Sequence, residues 1–246
     1  MTQSNPLDIS LLQSHGGQLS KSLDNLLKSS LISSKSSSYT NLKFIIATFS
    51  PTLKFDDQSH YDIEIAYYQE LINSLKDGQY LIFISSQTLE LTNTTMYSRA
   101  KHEIENMLNE RCNNFTILRP GMIYDLQTEK YTLSSMEEAS HSFLSFYNDF
   151  PKTSVCTVND IYLSIIEVSR DIDIYRKKII NIGIKRYTFL QLQNISAPKK
   201  YRFSIIPFFI LKIISLFSPR INAYVNGKAI SDSADLAFPG YFDLFK

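Results

Sequence analysis

Tyr97 and Lys101 lie four residues apart, a spacing that places both side chains on one face of a helix. A nearby ammonium group stabilises a phenolate and lowers a pKa that is about 10 in the free side chain. The phenol then becomes a usable general acid or base near neutral pH. Ser86 ends an apolar run that begins at Tyr80, and its hydroxyl can hold the substrate oxygen on which this proton transfer acts. The three residues predict proton-transfer chemistry.

The spacing alone is weak evidence, because the composition gives about one Tyr-x-x-x-Lys pair by chance. The sequence holds three such pairs, which are Tyr39/Lys43, Tyr97/Lys101 and Tyr224/Lys228. Only the second follows an apolar run ending in Ser85-Ser86 and precedes another ending in Arg119-Pro120-Gly121. The context of this pair therefore carries the prediction.

Short apolar runs alternate with amphipathic helical patterns up to Asp125, which predicts a parallel sheet with helices on both faces. Ligands of such sheets bind at the carboxyl ends of the strands. We expect strands at Ile9–Leu12, Leu42–Ala47, 80–85 and 115–119, and helices around Leu19, Leu23, Leu26 and Leu27, at Tyr61–Leu75 and at 96–110.

The pattern after Asp125 is less regular. We expect strands at Ser154–Val158 and Lys178–Gly183. We expect helices at Glu137–Tyr147 and Ile205–Phe217, and a further helix that is capped by Asn159-Asp160 and runs to about Ser169. The predicted fold is α/β: a Rossmann-like parallel sheet, reduced at its N-terminal edge, with a small C-terminal substrate lobe. The core is expected from 1–125 and 154–185, and the lobe from 126–153 and 186–246.

The composition is that of one globular α/β protein of 246 residues, with 43% hydrophobic and 20% charged residues. A net charge of +1 gives no reason to expect a nucleic-acid partner. Cys112 and Cys156 have no metal or redox spacing, which favours a reducing compartment. The four histidines have no ligand spacing, so no metal site is predicted.

The N-terminus lacks the pattern of a signal peptide. The most apolar stretch, Phe203–Phe217, is interrupted by Pro207 and Lys212 and is too short to span a bilayer. A cytoplasmic protein with no transmembrane segment is therefore expected. We interpret this stretch as a helix that covers the C-terminal lobe, with a membrane-surface helix or a dimer contact as alternatives.

Three segments together resemble the core of an extended short-chain dehydrogenase/reductase: Ile82–Ser86, Tyr97–Lys101 and Leu118–Tyr124. More narrowly, they are similar to the NAD-dependent epimerase/dehydratase group that works on nucleotide sugars. Val155–Ile161 and Ile180–Gly183 are similar to two further segments of that family. The resemblance covers roughly Leu42 to Phe189.

The resemblance implies roles for individual residues. Tyr97 would be the catalytic acid/base, and Lys101 would lower its pKa and also hold the nicotinamide ribose. Ser86 would orient the substrate oxygen, and Pro120 would border the nicotinamide. Ala47 and Ser85, at the ends of neighbouring strands, would contact the cofactor.

The same resemblance implies NAD or NADP as the cofactor, a nucleotide sugar as the small-molecule ligand, and a homodimer formed through helices 61–75 and 96–110.

The N-terminal loop departs from the family, which has Gly-x-x-Gly-x-x-Gly between the first strand and helix. This chain has Ser14-x-x-Gly17-x-x-Ser20, with Gly16 as an extra glycine. Ser14, Gly16, Gly17, Gln18 and Leu19 are expected to approach the cofactor pyrophosphate at the helix N-terminus. Serines in place of glycines predict weaker binding.

The carboxylate that the family uses for the adenine ribose is also absent, since no Asp or Glu occurs between Asp24 and Asp56. The segment from Ser33 to Ser36, with Lys35, is able to accept a 2′-phosphate, which would favour NADP. A serine-rich surface loop is the interpretation we prefer.

Other charged residues have structural explanations. Glu64 and Glu70 lie in the predicted helix 61–75 and are expected to be solvated. Arg119 is equally compatible with a structural ion pair and with a ligand contact.

Two functions from different classes fit these observations. The leading hypothesis is an NAD(P)-dependent epimerase, dehydratase or reductase acting on a nucleotide-linked sugar. The alternative is a non-catalytic relative that binds a nucleotide sugar or a protein partner. Catalysis requires the hydroxyls of Ser86 and Tyr97 to lie close together beside a cleft that neither Gln87 nor Met96 fills.

Overall fold

The computed structural model describes residues 8–12, 17–29, 42–53, 55–90, 95–125, 130–131, 144–146, 153–183, 185–187, 203–206 and 208–217. Within these ranges, every helix is too short or too polar to cross a bilayer.

A five-stranded sheet forms the centre of the described structure. Its strands are β1 (Asp8–Leu12), β2 (Lys43–Ala47), β3 (Gln79–Ile84), β4 (Phe115–Pro120) and β9 (Ile179–Ile182). They lie in the order β1-β2-β3-β4-β9, and every neighbouring pair is parallel. All carboxyl ends therefore meet at one edge. This confirms the predicted Rossmann-like α/β fold, and among the described strands of this sheet β1 and β9 are the two outer ones.

Helices cover both faces of this sheet. One face packs against α1 (Gln18–Ser29) and α4 (Val158–Arg170), and the other packs against α2 (Gln58–Ser74) and α3 (Met96–Arg111). Successive residues of β2 alternate between the faces, so that Phe44 and Ile46 join the first cluster and Ile45 and Ala47 join the second. Burial on both sides explains why these strands are continuous apolar runs.

The other described strands form two smaller sheets. One contains β5 (Met122–Asp125), β6 (Lys130–Tyr131), β8 (Thr153–Thr157) and β10 (Lys185–Tyr187). The other pairs β7 (Leu144–Phe146) in parallel with β11 (Phe203–Ile206). Two further helices are α5 (Ile172–Tyr175) and α6 (Phe208–Ser215).

Three predictions after Asp125 need correction. The helix expected at 137–147 is wrong at residues 144–146, which form β7 and pair with a strand nearly sixty residues later. The helix expected at 205–217 begins only at Phe208, because 203–206 is β11. The cap of α4 is Thr157, which accepts from the Asp160 backbone, while the Asp160 carboxylate accepts from the Thr157 backbone in a capping box.

Gly121 lies where the chain passes from β4 to β5 against Ser154 of β8. A Cβ atom built on Gly121 would lie 2.2 Å from Ser154 Oγ and 2.5 Å from its carbonyl oxygen. We expect Gly121→Ala to lower the free energy of unfolding by about 1–3 kcal/mol, because the backbone of Ser154 has to shift. Urea unfolding measures this loss. Gly17→Ala is the control, since a Cβ there meets nothing within 4 Å, and equal losses in both variants would contradict the crowding argument.

Candidate active site

Tyr97 and Ser86 meet at the carboxyl edge of the sheet. Ser86 follows β3, and Tyr97 lies in the first turn of α3, close enough to Ser86 for the serine hydroxyl to lower the pKa of the phenol. The start of α3 is fixed by Thr95, whose hydroxyl accepts from the Ser98 backbone at 3.1 Å. Asp56 Oδ1 also accepts from the Tyr97 backbone N–H at 3.0 Å. The structure thus brings the two predicted catalytic hydroxyls, those of Ser86 and Tyr97, close together.

The environment of Tyr97 raises the pKa of its phenol well above the ordinary value. Burial is the largest cause; the nearby Ser86 hydroxyl lowers the pKa, and the negative charge of Glu64 raises it further. This direction is opposite to the lowering expected from Lys101. The phenol is therefore held in its neutral form, in which it is a proton donor.

The Lys101 ammonium forms a buried ion pair with a carboxylate. The Tyr97 phenol is therefore not the only group on which its charge acts. Its Nζ lies 3.1 Å from Glu64 Oε1, and the two side chains are only 2% and 0% exposed. Three aromatic rings surround the ammonium, with centroids at 4.8 Å for Phe83, 5.7 Å for Tyr68 and 5.8 Å for Tyr97. Aromatic faces attract cations. Together these contacts hold Lys101 on the same side of α3 as Tyr97.

The second oxygen of Glu64 accepts from the loop after β2. Ser50 Oγ donates to Oε2 at 3.1 Å, and the Thr52 hydroxyl and backbone N–H also donate to it. The prediction that Glu64 is solvated is therefore wrong, whereas Glu70 is exposed as expected. The helical pattern contained the signal, because Glu64 precedes Tyr68 by four residues and shares its buried face.

Ser85 belongs to a second buried polar cluster. Its Oγ donates to Glu105 Oε1 at 2.6 Å, and Arg119 Nε donates to the same oxygen at 2.9 Å. Arg119 Nη2 also pairs with the other oxygen of Glu105. The ion-pair interpretation of Arg119 is thus the one found. The cofactor contact expected of Ser85 stays a prediction, since its hydroxyl is used within the protein.

Gln87 and Met96 occupy different surroundings near this edge. Gln87 is buried, and its Nε2 donates to the carbonyls of Ile182 at 2.8 Å and Arg119 at 3.2 Å. Its Oε1 accepts from the Ser154 hydroxyl. Met96 is partly exposed, with its sulfur 3.6 Å from Arg99 Nη1. Gln87 therefore ties β4, β8 and β9 together at their ends.

The predicted cofactor residues that the structure describes lie at the same edge. Ala47 and Pro120 are the buried last residues of β2 and β4. Gly17, Gln18 and Leu19 are at the start of α1, just after β1. Ser14, Gly16 and the Ser33–Ser36 segment lie outside the described residues.

Comparison with solved structures finds proteins that have the same fold. Over 93% of its length the chain is similar to 94% of a nucleoside-diphosphate-sugar epimerase from Staphylococcus aureus, with a TM-score of 0.61 and 14% identity. It is similar to 90% of a UDP-glucose 4-epimerase from Thermotoga maritima solved with UDP-glucose, over 82% of this chain, with a TM-score of 0.55 and 14% identity. The protein has the fold of these enzymes.

RMD from Pseudomonas aeruginosa, solved in complex with NADPH, is a third similar structure. The match covers 77% of this chain and 82% of that protein, with a TM-score of 0.53 and 12% identity. In two other cases the chain spans only 64% and 56% of the matched protein. No family model and no curated protein matches the sequence.

Proposed function

We propose that the protein is an NAD(P)-dependent epimerase, dehydratase or reductase acting on a nucleotide-linked sugar. The observation that carries the proposal is the proximity of the Ser86 and Tyr97 hydroxyls at the carboxyl edge, with Lys101 one helical turn further along α3. Enzymes of the same fold solved with UDP-glucose and with NADPH support this class of ligands. Such a reaction would supply activated sugars for polysaccharide biosynthesis.

In this proposal Ser86 and Tyr97 act on one oxygen of the sugar. The Ser86 hydroxyl orients that oxygen, and Tyr97 donates a proton to it or accepts one from it. The raised pKa of Tyr97 favours donation, as in reduction of a sugar ketone. A bound nicotinamide would supply or accept the hydride at the carbon that carries this oxygen.

Proton acceptance by Tyr97 requires the positive charge of Lys101 to act on the phenolate. In the structure, the Glu64 carboxylate neutralises the charge of Lys101. The negative charge of Glu64 also raises the pKa of Tyr97. Glu64 is therefore proposed as a positioning residue that holds Lys101 beside Tyr97 and tunes the phenol toward its protonated form.

The described residues fit part of a dinucleotide. The N-terminus of α1 is open at Gly17, where an added Cβ would meet nothing within 4 Å, and helix N-termini attract phosphate. Ala47 and Pro120 would border the cofactor, with Ser14, Gly16, Gln18 and Leu19 completing the predicted loop. The fit is poorer at Lys101, because Glu64 holds the ammonium that would bind the ribose.

The test is a thermal-shift and calorimetric titration with NAD, NADH, NADP and NADPH, followed by a screen of nucleotide sugars with whichever cofactor binds. A ligand that binds only the native state raises the free energy of unfolding by about 2.7 kcal/mol at a hundredfold excess over Kd. A shift with one nicotinamide, together with turnover of a nucleotide sugar, supports the proposal. No shift with any of the four at millimolar concentration would overturn it.

One observation favours the alternative of a non-catalytic relative that binds a nucleotide sugar or a protein. The ion pair between Lys101 and Glu64 uses the charge that the catalytic proposal needs at the phenol. Binding of UDP-glucose with no nicotinamide binding and no turnover would select this alternative. Turnover of a nucleotide sugar with a bound nicotinamide, lost in Tyr97→Phe, would exclude it.

A further inference from the structure

The candidate site depends on how α2 and α3 are placed against each other. Helix α2 carries Glu64, and α3 carries Tyr97 and Lys101. The Lys101 ammonium and the Glu64 carboxylate lie 3.1 Å apart in a buried ion pair, so a small slip of one helix along the other would separate them. The residues that fix the first turns of these helices therefore affect the geometry of the site.

Two consecutive aspartates, Asp56 and Asp57, accept hydrogen bonds from the first turns of these two helices. Asp57 caps its own helix, α2, because its Oδ1 accepts from the His60 backbone N–H at 2.9 Å. Asp56 Oδ1 accepts from the Tyr97 backbone N–H at 3.0 Å, although the two residues are 41 positions apart in the sequence. The two aspartates therefore join the start of α3 to the start of α2.

Tyr97 lies in the part of α3 that most needs such an anchor. The first backbone N–H groups of a helix have no partner within the helix, and helix ends open more readily than their middles. Thr95 accepts from the Ser98 N–H at 3.1 Å, but it directly precedes α3 and ties the turn only to itself. Asp56 accepts from the Tyr97 N–H from a different segment of the chain. The helix dipole also favours a carboxylate at this end.

We propose that Asp56 is a positioning residue that holds the Tyr97 phenol beside Ser86 by anchoring the first turn of α3 to the start of α2. The inference rests on the proposed function, in which the Tyr97 and Ser86 hydroxyls act on one oxygen of the sugar. A displacement of a reacting group by about 1 Å can lower the rate about 10²-fold. In this role Asp56 acts through the backbone N–H of Tyr97 and not on the substrate.

Lys101 fixes α3 less directly than Asp56 does. Its ammonium is held by Glu64, but it lies at the end of a flexible four-carbon chain that can adjust to a displaced backbone. Asp56 is bonded to the backbone of Tyr97 itself. The negative charge that raises the pKa of the Tyr97 phenol comes from Glu64. Asp56→Asn, which removes a charge and keeps an acceptor oxygen, is therefore expected to preserve the site.

Steady-state kinetics with bound nicotinamide and the best substrate of the screen test this role. We expect Asp56→Ala to lower kcat per folded molecule about tenfold or more and to leave KM for the sugar within about twofold, because the groups that bind the substrate stay in place. Asn and Asp are about equally good at accepting from the first turn of a helix, so Asp56→Asn is expected to stay within about threefold of the native kcat.

Asp57→Ala is the matched control, since it removes the neighbouring carboxylate and the cap of α2. Glu64 lies almost two turns into that helix and is held there by the hydroxyls of Ser50 and Thr52, so fraying of the first turn does not reach it. We expect a urea midpoint lowered about as much as in Asp56→Ala, with kcat per folded molecule within about twofold of the native value. Equal kcat values in the two alanine variants, or a loss in Asp56→Asn as large as in Asp56→Ala, would overturn the proposal.

Amide hydrogen exchange of Tyr97, measured by NMR without substrate, tests the contact independently of catalysis. We expect exchange about tenfold faster or more in Asp56→Ala and near the native rate in Asp56→Asn. In Asp57→Ala the amide of His60 should exchange faster and that of Tyr97 should not. No acceleration of Tyr97 exchange in Asp56→Ala would overturn the proposal, whatever the rate of turnover.

Turnover by the native protein separates a failure of this role from a failure of the proposed function. A native protein without turnover overturns the proposed function, and the positioning role with it. Native turnover with the same kcat in Asp56→Ala overturns the positioning role alone. Faster exchange of the Tyr97 amide in Asp56→Ala, together with a loss confined to kcat, supports both.

Discussion

Tyr97→Phe is expected to lower kcat for the nucleotide sugar by about 10²–10⁴-fold, because it removes the group proposed to move the proton. Nicotinamide binding should be nearly unchanged, since the substitution removes one oxygen and leaves Lys101 in its ion pair with Glu64. The measurement is kcat and KM for the best substrate of the screen, with a nicotinamide titration of the same preparation. A loss confined to kcat is the signature of an interaction made in the transition state.

Tyr80→Phe is the matched control for this experiment. Its hydroxyl lies beside another hydroxyl, that of Thr116 at 2.8 Å, but near the amino end of the strands. We expect Tyr80→Phe to cost stability and to leave kcat per folded molecule within about twofold of the native protein. Comparable kcat values for Tyr97→Phe and the native protein would remove Tyr97 from the mechanism.

The parallel sheet was predictable because strands that are buried on both faces are continuous apolar runs in the sequence. Strands such as β3 have to be apolar throughout, and α2 and α3 each have to bury one stripe of apolar side chains against the sheet. These requirements act locally, so the boundaries from Leu42 to Pro120 are predicted to within about three residues. The contact between Ser86 and Tyr97 follows from the same order of elements.

The strand β7 was not predictable for the opposite reason. Leu144-Ser145-Phe146 is too short to distinguish a strand from a helical stripe, and its partner β11 is far away in the sequence. Strand formation there depends on a contact between distant segments and not on local propensity. The capping box of α4, in contrast, is a local signal, since Thr157 precedes Asp160 by three residues.

The role of Glu64 was missed because a sequence shows which helix face is buried but not which charges meet there. The buried face of α2 includes Glu64, and the buried face of α3 includes Lys101. A carboxylate on a buried face needs a partner, since an isolated buried charge is very costly. Pairing α2 with α3 is the step that identifies this partner, and it requires the fold.

Breaking the Glu64–Lys101 ion pair is expected to have the largest effect on stability of any single charge substitution at this site. Lys101→Met leaves the Glu64 carboxylate buried without its cation, and Glu64→Gln leaves the ammonium among three aromatic rings. We expect each variant to lose about 3–5 kcal/mol of unfolding free energy, because an unpaired buried charge remains. Urea unfolding monitored by circular dichroism measures these losses.

The double variant Glu64→Gln/Lys101→Met removes both charges together. We expect it to be more stable than either single variant, since no unpaired charge remains and the new amide oxygen can still accept from Ser50 and Thr52. Lys28→Met is the control: its pair with Asp24 is exposed, with 71% of the lysine side chain accessible, and its loss should stay within about 1 kcal/mol. Additive losses in the double variant, or a loss in Lys101→Met as small as in Lys28→Met, would show that the pair is not coupled. Lys101 would then be available to act on Tyr97 without constraint from Glu64, and the proposed positioning role of Glu64 would be withdrawn.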